Sequence, residues 1–235
     1  MTTTLITGAN KGLGQETARQ LVAAGHTVYA GARDESRGRA AAEELGATFV
    51  QLDVTADASV AAAYARIEAD GGLDVLVNNA GIEPRLAGNA IPTAADETAD
   101  SMRATFETNV FGLVRVTHAF LPLLQKSAAP VIVNLSSGLA SLTDLSNPGG
   151  HTHFYTGLSY PASKTTINAL TIQYAKAFPG IRINAVDPGY TNTDLNGRTG
   201  TQTVAEGAAI IVRMAQIGRG GPTGTFVSAH GLVAW

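Results

Sequence analysis

Short apolar runs alternate with helix-length segments along most of this chain, and that alternation constrains its fold more than any single residue does. Leu5 and Ile6 lie in an apolar run that stops at Thr7-Gly8-Ala9-Asn10-Lys11-Gly12-Leu13-Gly14, and a helical pattern follows through Ala18, Leu21 and Val22. Further strands are expected over 27–32, 48–52, 73–77, 131–135 and 181–186, with helices over 36–45, 59–70, 96–106, 110–121, 160–178 and 203–214 between or after them. A last strand is expected over 225–227, followed by a short tail to Trp235. Parallel strands need crossovers of this length, and strands covered on both faces read as continuous apolar runs rather than alternating ones. The reading is an α/β fold: one domain over 1–235, a Rossmann-type doubly wound parallel sheet with helices on both faces. With 235 residues and 45% of them apolar, one such core is easily filled.

The turn after the first strand has the spacing G-x-x-x-G-x-G over Gly8, Gly12 and Gly14. Glycines let the backbone turn tightly and approach a ligand, and free N–H groups at a helix start attract an anion such as a pyrophosphate. The second strand ends Ala30-Gly31-Ala32-Arg33, with no carboxylate before Arg33. A free ribose 2′-hydroxyl is usually held there by an acid and a 2′-phosphate by a cation. Arg33, or Lys11 from the glycine turn, therefore favours NADP(H) over NAD(H), by roughly 10- to 100-fold if one charge-assisted hydrogen bond of about 1.5 to 3 kcal/mol is made. Asp34 beside Arg33 is a competing partner. Asp53, at the end of the third strand, is a candidate for the adenine amino group or for a helix cap.

Tyr160 and Lys164 stand four apart with Pro161 between them, just inside a helix start, so they share one helical face. A phenol with a pKa of about 10 becomes a proton donor near neutrality if an ammonium roughly 5 Å away lowers that value by about two units. Asn109 sits in an apolar helical stretch, where asparagine competes with the backbone unless it faces solvent or bonds the main chain. Ser136 and Ser137 follow a buried strand, at the edge where open α/β sheets place ligands. The segment 138–159 is polar and irregular and reads as a loop on the substrate side, and 188–202 as a loop able to close over a ligand. His151 and His153 lack a completing ligand set, so no metal is expected.

A net charge of −3 without a basic run gives no footprint for nucleic acid or an anionic membrane, and no segment approaches a membrane span. The absence of cysteine excludes disulfides and thiolate chemistry. The expectation is a soluble cytoplasmic protein acting on a small molecule.

Taken in order, Thr7-Gly8-x-x-x-Gly12-x-Gly14, Asn78-Asn79-Ala80-Gly81, Asn109, Ser136-Ser137, Tyr160-x-x-x-Lys164 and Pro188-Gly189 with Thr193 resemble the short-chain dehydrogenase/reductase family across nearly the whole length. Ala32-Arg33-Asp34 and the ending Gly-Pro-Thr-Gly-Thr-Phe-Val-Ser to Trp235 are similar to those of its carbonyl reductases. The resemblance implies NADPH-dependent reduction of a ketone or aldehyde, with Tyr160 as general acid, Lys164 holding the nicotinamide ribose, Ser137 on the substrate oxygen and Asn109 positioning a relay water. It implies cofactor contacts from Gly8, Asn10, Lys11, Gly12, Leu13, Gly14, Arg33, Asp53, Val54, Asn79, Ala80, Gly81, Tyr160, Lys164, Pro188, Gly189, Thr191 and Thr193, and substrate contacts from Ser137, Leu139, Tyr160 and Tyr190. An NAD-dependent alcohol dehydrogenase and a non-catalytic NADP-binding regulator are the alternatives. The spacing from Ser137 to Tyr160 is longer than in most of the family, so a homo-oligomer, dimer or tetramer, and a monomer both stay open.

Overall fold

Seven parallel strands and one short antiparallel strand form a single sheet in a computed structural model that describes residues 1–235. The strands are β1 (Thr3–Thr7), β2 (Thr27–Ala32), β3 (Thr48–Gln51), β4 (Val75–Asn78), β5 (Val131–Leu135), β6 (Arg182–Val186), β7 (Phe226–Ser228) and β8 (Gly231–Leu232). Their order is β3-β2-β1-β4-β5-β6-β7-β8. The chain builds outward from β1 through β2 to β3, then returns to pair β4 against the other side of β1. That reversal opens a crevice between the carboxyl ends of β1 and β4, where open α/β sheets take their ligands.

Register explains why the strand runs are apolar throughout. Leu5, Leu76, Ile132 and Ile183 stand side by side across four strands and all point to one face, while the next residues, Ile6, Val77 and Val133, point to the other. The first set packs with Val60, Ile67, Val116 and Phe120, from α3 (Asp57–Ala69) and α5 (Gly112–Leu124). The second packs with Leu21, Ile210, Ile211 and Met214, from α1 (Gly12–Ala23) and α8 (Val204–Ala215). Each such side chain, fully buried, contributes about 1.5 to 3 kcal/mol. The remaining helices are α2 (Glu35–Leu45), α4 (Ala99–Phe106), α6 (Leu142–Ser146) and α7 (Ser159–Ala177).

Three places differ from the sequence reading. The two helices expected around Asn109 run into one another through a π-helical stretch, Glu107–Phe111. The irregular segment after Ser137 contains a 3-10 turn, Gly138–Ala140, and the short helix α6. The tail is also ordered: β8 pairs antiparallel with β7, Trp235 stacks on Phe226 with ring centroids 5.8 Å apart, and the Trp235 carbonyl accepts from both the amide and the hydroxyl of Thr143. No helix is long and apolar enough to cross a membrane.

Candidate active site

The glycine turn and the Asn78–Gly81 turn lock together at the crevice. Gly8 and Gly12 have left-handed φ values of 66° and 55°, which disfavour any side chain. Gly14 is needed for space: a Cβ there would sit 2.4 Å from the Gly8 carbonyl oxygen and 2.5 Å from Asn79 Nδ2. Asn79 Nδ2 donates to the carbonyls of Thr7 (2.8 Å) and Gly8 (3.1 Å), and the Thr7 hydroxyl accepts the amides of Asn79 and Ala80. Helix α1 starts with no side-chain cap and no acid in its first turn, so its leading N–H groups face the opening without protein partners.

At the adenosine end, Arg33 is exposed and forms no ion pair. Asp34 is committed elsewhere, accepting the Arg37 amide as the α2 cap and pairing with its guanidinium, both at 2.9 Å. Lys11 is not a second free cation: it pairs with Asp194 at 3.5 Å. Asp53 is not the cap of α3: its Oδ1 accepts from the amide (2.9 Å) and hydroxyl (2.7 Å) of Thr55, which hold its carboxyl below the usual range with help from Arg33. Val54 is a core residue whose carbonyl accepts from Arg115 (2.7 Å) and whose side chain packs against Gly112.

On the other side, β5 ends at the serine pair, and the two serines separate in role. Ser136 is buried and donates to Asn168 Oδ1 (2.7 Å), whereas Ser137 is half-buried, accepts the Leu139 amide (3.2 Å) and is near enough to the Tyr160 phenol to favour its ionised form. Tyr160 and Lys164 do stack on one face of α7, with Nζ 5.5 Å from the ring centroid. Lys164 Nζ donates to the Leu135 carbonyl at 2.7 Å.

The expected acidification of Tyr160 is overturned. Burial of the ring pushes the phenol above its ordinary value, the Glu83 carboxylate and Asp187 push it further, and the Ser137 hydrogen bond and Arg85 recover only part. Taking a phenolate out of water is the largest of these effects. The same burial lowers Lys164 to about 8, opposed by Glu83.

Asn109 neither faces solvent nor sits in a regular helix. It lies in the π-helical stretch, where an extra residue per turn re-aims side chains. Its Oδ1 accepts the Ile82 amide (2.8 Å), and its Nδ2 donates to the Ile82 carbonyl (2.9 Å) and to Ser163 Oγ (3.0 Å). The loop after β6 folds onto the glycine turn: a Cβ on Gly12 would come within 3.7 Å of Thr193, and the Gly189 amide donates to Asp187 Oδ1 (2.9 Å). Thr191 is buried, held by Gln202 Nε2 on its hydroxyl (2.7 Å) and by Asn196 Nδ2 on its carbonyl (2.8 Å), while Gln202 also donates to Pro188. Leu139 is half-buried beside Ser137, but Tyr190 is 54% exposed with its hydroxyl on Thr199. His151 is exposed, and His153 Nδ1 is bonded to the Leu145 carbonyl (2.9 Å).

Several residues that position the site escape a reading by motif. The first amides of α7 have no local cap; Leu158 and Ser159 donate instead to Glu97 (2.7 and 3.1 Å). A polar ladder runs from Thr117 through Asn78 and Asn134 to Thr171, tying β4 and β5 to α7 at 2.9 to 3.0 Å per bond. Asn134, a lone polar residue in an apolar strand, was the available signal; Glu97 offered none. A cavity of about 590 Å³ opens at the amino ends of β5 and β6, around Pro130, Gly180 and Arg219, and contains none of these groups.

With this geometry in place, comparison with known proteins is informative. A short chain dehydrogenase family model matches residues 2–203. The chain is 36% identical over 282 residues to "Short-chain dehydrogenase/reductase 1" of Saponaria officinalis, covering 96% of this chain and 93% of that protein. It is 31% identical over 296 residues to (+)-neomenthol dehydrogenase of Capsicum annuum, covering 94% of each. Among solved structures, NADPH-bound carbonyl reductase from chicken fatty liver superposes with a TM-score of 0.85 at 29% identity, over 99% of this chain and 98% of that one.

Proposed function

The chain belongs to the short-chain dehydrogenase/reductase family, and from that premise we propose that it reduces a ketone or aldehyde to an alcohol with NADPH, Tyr160 supplying the proton. It is an oxidoreductase of the carbonyl reductase type, and its relatives include an NADPH-bound carbonyl reductase. The observation that carries the reading is one cluster: Lys164 over the Tyr160 ring and bonded to the Leu135 carbonyl, at the carboxyl end of β5 where Ser137 follows.

The crevice fits a dinucleotide. The uncapped start of α1 presents free amides to a pyrophosphate, Gly14 allows the turn to close, and Arg33 offers an unpaired cation to a 2′-phosphate. Gly8, Asn10, Gly12, Leu13, Asn79, Ala80 and Gly81 line the turn side, and Pro188, Gly189, Thr191 and Thr193 close it from β6. Bound NADPH supplies the hydride. The protein's part is orientation and proton transfer. Ser137 donates to the carbonyl oxygen and draws it toward Tyr160. The phenol, kept protonated by burial, gives its proton to the oxygen as negative charge develops there. Lys164, anchored on Leu135, supports the charge left on Tyr160, and Asn109 fixes the Ile82 backbone beside them.

Tyr160→Phe tests the assignment. General acid catalysis contributes typically about 10²- to 10⁴-fold, so kcat should fall by that range while NADPH affinity, measured by fluorescence, stays near wild type. Turnover left intact in this variant would refute it.

A further inference from the structure

A buried acid outside the family set lies on the segment that passes beside the same pair of residues. Gly81 abuts the Lys164 ammonium, since a Cβ added there would come 3.7 Å from Nζ. Two residues on, the Glu83 side chain is only 6% exposed, and both its oxygens are engaged: Oε1 accepts the Tyr155 hydroxyl at 2.8 Å and Oε2 pairs with Arg85 at 2.5 Å. The segment that carries it is fixed, because Asn109 holds both the amide and the carbonyl of Ile82 and also bonds Ser163, whose hydroxyl donates to the Tyr160 carbonyl (2.7 Å). Tyr155 comes from the segment that leads into α7, so its bond to Glu83 joins the two walls of the cleft.

We propose that Glu83 is a positioning residue of the reaction: its carboxylate, clamped between Tyr155 and Arg85, places a buried negative charge on the segment that passes beside Lys164 and ties the segment before α7 against the site. The inference rests on the assignment of Tyr160 and Lys164 as the proton-transfer pair. The charged and titratable groups around that pair are Glu83 and Arg85 after β4, Tyr155 before α7, and Asp187 after β6, itself influenced by His230. Arg85 and Asp187 act on Tyr160 with opposite signs, whereas Glu83 acts on both Tyr160 and Lys164 and in the same direction. Lys164 makes no ion pair and spends its hydrogen bond on a backbone carbonyl, so a nearby fixed negative charge is what opposes its loss of a proton in a buried site.

The test reads the charge in two independent ways. In the free protein, the 13Cε resonance of Lys164, one of four lysines and assignable with Lys164→Arg, reports its titration directly. Glu83→Gln should move that midpoint down by about one pH unit, which is roughly tenfold in the proton equilibrium. Glu83→Gln combined with Arg85→Gln removes the pair without stranding a buried cation, and Glu83→Asp should restore most of the wild-type midpoint. In carbonyl reduction with NADPH, the alkaline limb of kcat/KM should move down in parallel, with about tenfold loss above the midpoint and little change at pH 6. A Lys164 midpoint that stays in place, or a loss of activity equal at every pH, overturns the proposal. A midpoint that moves in a wild-type background unable to reduce any carbonyl places the charge as stated and defeats the functional assignment instead.

Discussion

Cofactor choice should hang on Arg33, and the structure fixes how strongly. Of the two cations near the adenosine end, Lys11 already pairs with Asp194 at 3.5 Å, with both side chains largely exposed, a contact worth about 0.2 to 1 kcal/mol that it would have to give up. Arg33 has no such partner, because Asp34 is held by the Arg37 amide and guanidinium. A charge-assisted hydrogen bond to a 2′-phosphate contributes about 1.5 to 3 kcal/mol. Arg33→Ala should therefore cut the ratio of kcat/KM with NADPH to that with NADH by about 10- to 100-fold, mostly through KM for NADPH. Lys11→Ala should cost less than about tenfold, since its interaction is net of the one with Asp194. The assay is steady-state reduction of one carbonyl substrate with each cofactor, repeated at two salt concentrations because an exposed phosphate contact weakens as salt rises. Equal or better efficiency with NADH in the wild type, or an Arg33→Ala variant that keeps the wild-type ratio, refutes the reasoning.

Two further outcomes follow from contacts. Gly14→Ala drives a methyl to within 2.4 Å of the Gly8 carbonyl, a backbone atom that cannot swing aside, so it should lose at least about 1 to 3 kcal/mol by chemical denaturation and bind NADPH weakly; Gly180→Ala, whose Cβ would meet nothing within 4 Å, should bind NADPH like the wild type. His26 bonds Thr4 through Nδ1 (2.8 Å) and is lowered by burial, so the unfolded chain takes up a proton first as pH falls: stability should decline below about pH 6.5, by a fraction of about 1.4 kcal/mol per pH unit, and His26→Asn should flatten that decline in urea titrations at pH 7 and 5.5.

What could be read from the chain alone was whatever depends on local pattern. Strand and helix alternation fixes a parallel sheet because apolar runs such as 131–135 and 73–77 have no other way to bury both faces, and the glycine spacing fixes the turn because Gly14 has no room for a side chain. What stayed hidden depends on distance in sequence. Glu97 caps a helix that begins more than sixty residues later, and Tyr155 reaches Glu83 across seventy-two positions, so neither leaves a local trace. The error over Tyr160 has the same origin. Helical spacing gives the lysine's place, but the burial of the ring and the carboxylate facing it come from β5, β6 and the segment after β4.

The protonation state of Tyr160 bears on the proposed proton transfer. A phenol acidified to near neutrality would serve oxidation and reduction about equally, since both its forms would be populated. A phenol raised above its ordinary value is protonated throughout the physiological range, so the acid that carbonyl reduction needs is always loaded, whereas alcohol oxidation must begin from the scarce phenolate. In the proposed mechanism the acid that reduction needs is therefore in its protonated form before hydride transfer. Lys164, lowered to about 8, stays mostly charged at pH 7 and stands ready for the phenolate that proton transfer creates. In the proposed mechanism the ammonium, which makes no ion pair and bonds only a backbone carbonyl, gains a close anionic partner when Tyr160 gives up its proton. Stabilisation that appears only as the proton moves lowers the barrier rather than deepening the ground state, which is what a catalytic lysine must do.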